Sequence, residues 1–241
     1  DVFVIAPATA HTIAKIAHGL ADDAVSATAL DTRAPLIIAP AMETGMWENV
    51  ATQENVATLK ARGVTIVEPG IGHLASGLSG RGRLADLDVI VDTIRATLGR
   101  NGDLANRKIV VTAGGTQEPI DPVRVIANHS TGKMGLAIAE AARDRGARVT
   151  LIAGVTNLRV PHGIDAVSAP SAREMREAVM ESIADADALV MAAAALVVAV
   201  GVALWVLSAR GDDGALRAVA PPVAQAQVIE VPAGDSARTQ L

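Results

Sequence analysis

Short apolar runs alternate with amphipathic stretches along most of this chain. VFVIAPA (2–8), PLIIAP (35–40) and VTIVEP (64–69) read as buried strands, each closed by a turn residue. Between the first two, residues 12–20 set Ile13, Ile16, Ala17 and Leu20 at helical spacing. Residues 52–63 form an amphipathic helix that Gly63 stops, and 84–99 form another with Leu87, Ile90, Val91 and Ile94 on one face. RNGDLANR (100–107) is polar, has no apolar period and marks a domain boundary. A second series then opens: strand 108–115, helix 133–146, strand 147–154, helix 171–184 and strand 187–194. Ser171 and Glu174 give the helix at 171–184 a capping-box signature. Strands alternating with helices predict an α/β class with a mostly parallel sheet in each of two units.

From 188 the pattern changes. ALVMAAAALVVAVGVALWVL (188–207) is an unbroken apolar run. As a helix rising ~1.5 Å per residue it reaches across a hydrocarbon layer of about 30 Å. Trp205 near its end and Arg210 beyond it fit a membrane boundary. Strand 188–194 is nevertheless expected to stay in the sheet, because each buried backbone group stranded on a neighbour costs about 1–3 kcal/mol. A helix then starts near 195, and the apolar residues left to it, 195–207, are short for a span. Three readings of 195–241 compete: a membrane anchor, a junction with unrelated coding sequence, and a divergent end of the fold. The junction is favoured. The Ala- and Pro-rich remainder is expected to be poorly ordered, with one strand candidate at 226–231.

Composition narrows the picture. Half of the 241 residues are apolar, with one Phe, two Trp and no Tyr, so the core is aliphatic. Such residues suit strands buried on both faces. The formal charge of −5 gives no reason to expect a nucleic-acid partner. The absence of Cys excludes disulfides, thiolate catalysis and zinc–thiolate sites. The first residue is Asp1, in a strand already under way, which leads us to expect a chain that begins inside a longer protein.

Chemistry concentrates in VTAGGTQEPID…NHSTGKMG. Gly114 and Gly115 follow a strand, where backbone can approach a ligand closely. Ser130, Thr131 and Gly132 precede a helix whose first amides favour an anion, and Lys133 adds a full charge. The spacing is neither a Walker A loop nor G-x-G-x-x-G. Read without a family, phosphate binding and simple tight packing stand level.

VTAGGTQEPIDPVRVIANHSTGKMGLAIAEAARDRGARVTLIAG closely resembles the phosphopantothenate–cysteine ligase half of the bifunctional coenzyme A biosynthesis enzyme. Upstream, APATAHTIAKIAHGLADD, APAMETGMW and GHLASGLSGRGRL resemble its phosphopantothenoylcysteine decarboxylase half, an FMN flavoprotein. The likeness runs from residue 1 to about 194. It implies two Rossmann-like or flavodoxin-like units, both incomplete: 1–99 from the decarboxylase and 108–194 from the ligase.

The resemblance also implies roles. Thr9, Ala10 and Thr12 lie against the flavin, with His11 where the family has Asn; Thr9 can equally be a plain N-cap. Met42, Glu43, Met46 and Trp47 bind substrate. Glu43 replaces an Asn that grips the substrate carboxylate; ionised it repels that group, protonated it can donate to it. Ser76 replaces the family's proton-donor Cys, and an alcohol is a far weaker acid than a thiol. The family's catalytic His and first phosphate loop belong before Asp1, and His18 is read as a surface residue. In the ligase half a nucleotide, CTP or ATP, activates the 4'-phosphopantothenate carboxylate for attack by cysteine, with Mg²⁺ offsetting charge. Asn128 acts on the activated intermediate; Gly114, Gly115, Thr116, Ser130, Gly132 and Lys133 hold phosphate; Met191, Ala192 and Ala193 touch the nucleotide. No metal-ligating residue is assigned. Val197 stands where the family has a nucleotide-contacting Asp, and its Lys-rich loop has no counterpart before Leu241.

The expectation is therefore an enzyme of coenzyme A biosynthesis, incomplete for both reactions as it stands, cytoplasmic and trimeric by family. The rival is a non-catalytic flavoprotein-like module for oligomerisation or regulation, tethered to a membrane if 188–207 is an anchor. A generic NAD(P) oxidoreductase ranks last, for want of G-x-G-x-x-G and its acidic partner.

Overall fold

The structure, a computed structural model, describes residues 1–193. The apolar runs become strands because Val, Ile and Ala fill both faces of a sheet. In the first unit, Phe3–Ala8 (β1) leads to Ala10–His18 (α1) and Ala24–Asp31 (α2). Leu36–Pro40 (β2), Thr44–Trp47 (α3), Val50–Ala61 (α4) and Thr65–Ile66 (β3) follow. The strands form a parallel sheet in the order β1-β2-β3. Ile37, Ile38 and Ala39 of the central β2 are fully buried. Ile38 meets Ile5, Ile13, Trp47 and Leu59 on one face, while Ile37 and Ala39 meet Val67 and Ile90 on the other.

Beyond β3, Gly70–His73 (β4) and Ser79–Arg83 (β5) pair as an antiparallel hairpin, and Leu87–Gly99 (α5) covers the second face of the sheet. The expected stripe on that helix shifts. Ile90 and Ile94 face the core, whereas Leu87 and Val91 are exposed at 71% and 43%. The inner face runs through Ile90, Thr93 and Thr97, whose hydroxyls bond back to carbonyls one turn earlier. Leu20 likewise lies past the end of α1, beyond the left-handed Gly19, and is exposed.

In the second unit, Lys108–Ala113 (β6) is followed by an antiparallel hairpin of Gln117–Pro119 (β7) and Val125–Ala127 (β8). Then come Lys133–Arg143 (α6), Arg148–Ala153 (β9), Asp165–Ser168 (β10), Ala172–Ser182 (α7), a 3₁₀ turn at Ile183–Asp185, and Ala188–Met191 (β11). The parallel order β10-β9-β6-β11 places β6 and β9 in the middle. Ser171 and Glu174 form the expected capping box. Residues 188–191 pair with β6 from Ile109 to Thr112, so the start of the apolar run belongs to the sheet. The run from 194 on, the anchor reading and the strand candidate at 226–231 lie outside the described residues. Among the described residues no helix is long and apolar enough to cross a membrane.

Candidate functional site

β6 and β9 stay paired to their carboxyl ends at Ala113 and Ala153, and the loops that leave them line a hollow. Gly114 takes φ +88°, and a Cβ there would sit 3.1 Å from the Val155 carbonyl oxygen. Gly115 and Val155 bridge the two loops, with the Val155 amide donating to the Gly115 carbonyl at 2.8 Å. Gly132, at φ +77°, starts α6 so close to Gly114 that an added Cβ would lie 3.1 Å from the Gly114 nitrogen. These positions need glycine because backbone packs on backbone.

The resulting cavity is about 270 Å³ and is lined by Gly115, Thr116, Asn128, Ser130 and Lys133, among others. All five were singled out in the sequence. Gly115 and Asn128 face one another: a Cβ on Gly115 would be 3.1 Å from the Asn128 carbonyl oxygen. Gly114 and Gly132, also expected to hold phosphate, pack against each other and are not among the lining residues. Among the described residues the lining holds one cation, Lys133, and no carboxylate. Glu118 is turned away, accepting from the Ala172 amide at the start of α7 at 2.8 Å. An open, carboxylate-free concavity with a lysine at a helix start favours an anionic ligand.

Met191, Ala192 and Ala193 are placed differently. The amides of Ala192 and Ala193 each donate to the fully buried Thr112 hydroxyl at 3.1 Å, which holds the end of β11 against β6 rather than in the cavity lining. The sequence reading missed the opposite wall, where Val155, Thr156, Asn157 and Leu158 line the hollow. The Thr156 hydroxyl donates to the Thr131 carbonyl at 3.0 Å and accepts from the Leu158 amide at 3.1 Å. A small-residue stretch directly after β9, like the one after β6, was the available signal.

At the first sheet's edge, the Ala41 amide donates to the Ala8 carbonyl at 2.9 Å and draws the two family-like segments together. Thr9 stands at the N-cap of α1 without capping it, its hydroxyl 3.5 Å from that of Thr12. Ala10 opens the helix, and His11 is exposed. The two threonine hydroxyls lie together at the start of α1 as a hydrogen-bonded pair. Trp47 is 4% exposed and packs in the core, whereas Met46 is 45% exposed.

Above them the β4–β5 hairpin folds down. The Ser76 hydroxyl donates to Glu43 Oε2 at 2.8 Å, and the Ser76 amide donates to Glu43 Oε1 at 3.3 Å. The two departures from the family pattern therefore touch. Gly80 and Gly82 allow this approach, since an added Cβ would overlap the Thr44 hydroxyl or the Met42 carbonyl. Among the described residues no cluster of three or more His, Cys, Asp or Glu side chains is placed to hold a metal ion.

The fold is that of an α/β protein with a hollow at the carboxyl edge of a parallel sheet as its candidate site. Two family models match in succession: Flavoprotein over residues 1–99, and the DNA/pantothenate metabolism flavoprotein C-terminal domain over residues 104–198. The Coenzyme A biosynthesis bifunctional protein CoaBC of Mycobacterium tuberculosis is 50% identical over 199 residues, which covers 80% of this chain and 48% of that protein. A solved C-terminal domain of CoaBC is 45% identical with a TM-score of 0.37, over 38% of this chain and 46% of that one. A PPC decarboxylase variant complexed with pantothenoylaminoethenethiol is 41% identical with a TM-score of 0.38, over 39% and 53%. In succession the two matches make the chain CoaBC-like, a partial coenzyme A biosynthesis flavoprotein. It spans about half the length of the curated relatives it matches.

Proposed function

We propose that this chain carries the activating half-site of a phosphopantothenate–cysteine ligase beside a flavin-contacting edge of a phosphopantothenoylcysteine decarboxylase. The observation that supports it best is the hollow shared by Gly115 and Asn128, with Lys133 beside it. In this reading the backbone at Gly115 and Thr116 and the Ser130 hydroxyl orient a nucleotide triphosphate. Lys133 balances charge, and Asn128 hydrogen-bonds the activated carboxylate of 4'-phosphopantothenate before cysteine attacks. CTP and ATP both satisfy this chemistry. Mg²⁺ belongs to the family's reaction, but the described residues supply no carboxylate set for it, so no step is assigned to it.

FMN, when bound, supplies the electron acceptance that decarboxylation of the cysteine adduct needs. Thr9 and Thr12 are the residues to hold it, and Met42 and Met46 border the substrate side. The Glu43–Ser76 contact favours a second reading for this half alone, a closed flavoprotein-like layer that binds or oligomerises without turnover. Stable trimers that form without flavin would support that reading.

Calorimetric titration of the chain with CTP and with FMN tests the proposal. CTP binding is expected in the unaltered chain, weakened about tenfold or more by Lys133→Ala through loss of a charge-assisted contact. Absence of heat for both ligands would leave family descent without the function.

A further inference from the structure

The wall that the sequence did not reveal is held from the other unit. Residues 154–164 leave β9 along the cavity, and Leu158 and Val160 pack on the core under α6. At the far end, both groups of the His162 peptide are gripped. Its amide donates to Asp92 Oδ2 at 3.0 Å, and its carbonyl accepts from Arg143 Nη1 at 2.6 Å. Arg143 Nη2 donates to Asp92 Oδ1 at 3.1 Å. Arg143 also donates through Nε and Nη2 to Asp144 at 2.9 and 2.8 Å. Its side chain is 3% exposed and that of Asp92 is 13% exposed.

Asp92 lies on α5, the helix that covers the first unit's sheet through Ile90 and Ile94. One turn earlier, Asp88 meets Arg159 at 3.0 Å. The end of α5 is close-packed on the second unit, since a Cβ on Gly99 would overlap the Asp144 carbonyl.

We propose that Asp92 is a positioning residue for the second unit's cavity: through Arg143 and the His162 peptide it fixes the wall formed by residues 155–158. Four of the five N–H groups of this buried guanidinium are engaged, which restrains it. Removing the Asp92 carboxylate leaves the buried Arg143 charge on Asp144 alone and takes the acceptor from the His162 amide, a larger penalty than loss of an exposed ion pair. The loop is then held less firmly at its far end, where the Arg143 bond to the His162 carbonyl and the Arg159–Asp88 pair remain. The flavoprotein-like unit thus sets the geometry of the neighbouring site without touching its ligand. The binding arm below rests on the proposed nucleotide reading; the exchange arm does not.

The test compares the full chain with Asp92→Ala and the isosteric Asp92→Asn by amide hydrogen exchange and by calorimetry with CTP and FMN. In Asp92→Ala, amides of 155–163 are expected to exchange about tenfold faster, and CTP to bind about tenfold more weakly, with FMN affinity unchanged. Asp92→Asn, which keeps one acceptor, should fall between, and it carries the test if the alanine variant does not fold. Unchanged exchange in that loop, or a uniform rise across both sheets, overturns the proposal. If the unaltered chain takes no CTP, the functional reading falls while the exchange result still decides the tether.

Discussion

Two sheet edges in this molecule use the same device and reach opposite results. At the second unit's edge, Gly114, Gly115 and Gly132 let two loops touch backbone to backbone, and a hollow remains that, among the described residues, is lined by one lysine and no carboxylate. At the first unit's edge, Gly80 and Gly82 let a hairpin lie on Met42 and Thr44, and Glu43 then takes both donors of Ser76. Glycine permits approach in both places; the charge that crosses the edge decides between a site and a lid. The lid carries a cost of its own. Among the described residues the Thr44 hydroxyl is buried without a hydrogen-bond partner, a penalty of about 1–3 kcal/mol that opposes closure.

The sharpest way to break the comparison is Gly135→Ala. A Cβ there would lie 2.5 Å from the Ala113 Cβ and 2.7 Å from the Thr112 carbonyl, so α6 must move off β6. Overpacking of this kind costs about 1–3 kcal/mol, read from the urea midpoint, and should take nucleotide affinity with it. Retained affinity at reduced stability would show that the cavity does not depend on the seat of α6.

Glu43→Ala opens the lid. Loss of the Ser76 contacts removes about 1 kcal/mol locally, less for an exposed pair, and amides of 74–78 should exchange several-fold faster. No change there would make the clasp a passive contact.

The smallest effect is on pH. The Lys108 amide and then the Arg107 guanidinium hold the Asp187 carboxyl below its ordinary range, and the Ser171 hydroxyl and amide do the same for Glu174. Groups depressed in this way contribute stability above the unfolded value, about 4, and lose it as pH falls through the folded value. Thermal melting should be flat from neutral pH down to about 5 and decline only below about 4. A fall that begins near pH 6 would point to histidine instead.

Much of this was legible in advance where burial is two-sided. The strands β1, β2, β6 and β9 are plain apolar runs, and α7 announces itself through Ser171 and Glu174. What escaped lies where burial is weak. GIGH and SGRGR pair as a hairpin with no apolar alternation, and DAVS is an edge strand exposed at every residue. Both α2 and α3 are short, although Asp23 and Ser26 cap α2 in a readable box. The stripe on α5 was right at Ile90 and Ile94 and wrong at Leu87 and Val91, because 87, 91 and 94 and 90, 94 and 97 are both helical rows and only the sheet chooses between them. In the site, Gly115, Asn128, Ser130 and Lys133 were readable from one contiguous motif. Thr156 and Asn157 were not, because a parallel crossover brings them in from the next strand. Glu43 and Ser76 looked like separate departures until the hairpin set one on the other.

The most direct measurement is a crystal structure of this chain grown with CTP. The account predicts triphosphate density in the hollow between Gly115 and Asn128, within reach of the Lys133 ammonium, with residues 155–158 closing the side. Nucleotide bound at another surface, or the hollow left without it at saturating CTP, would contradict the account.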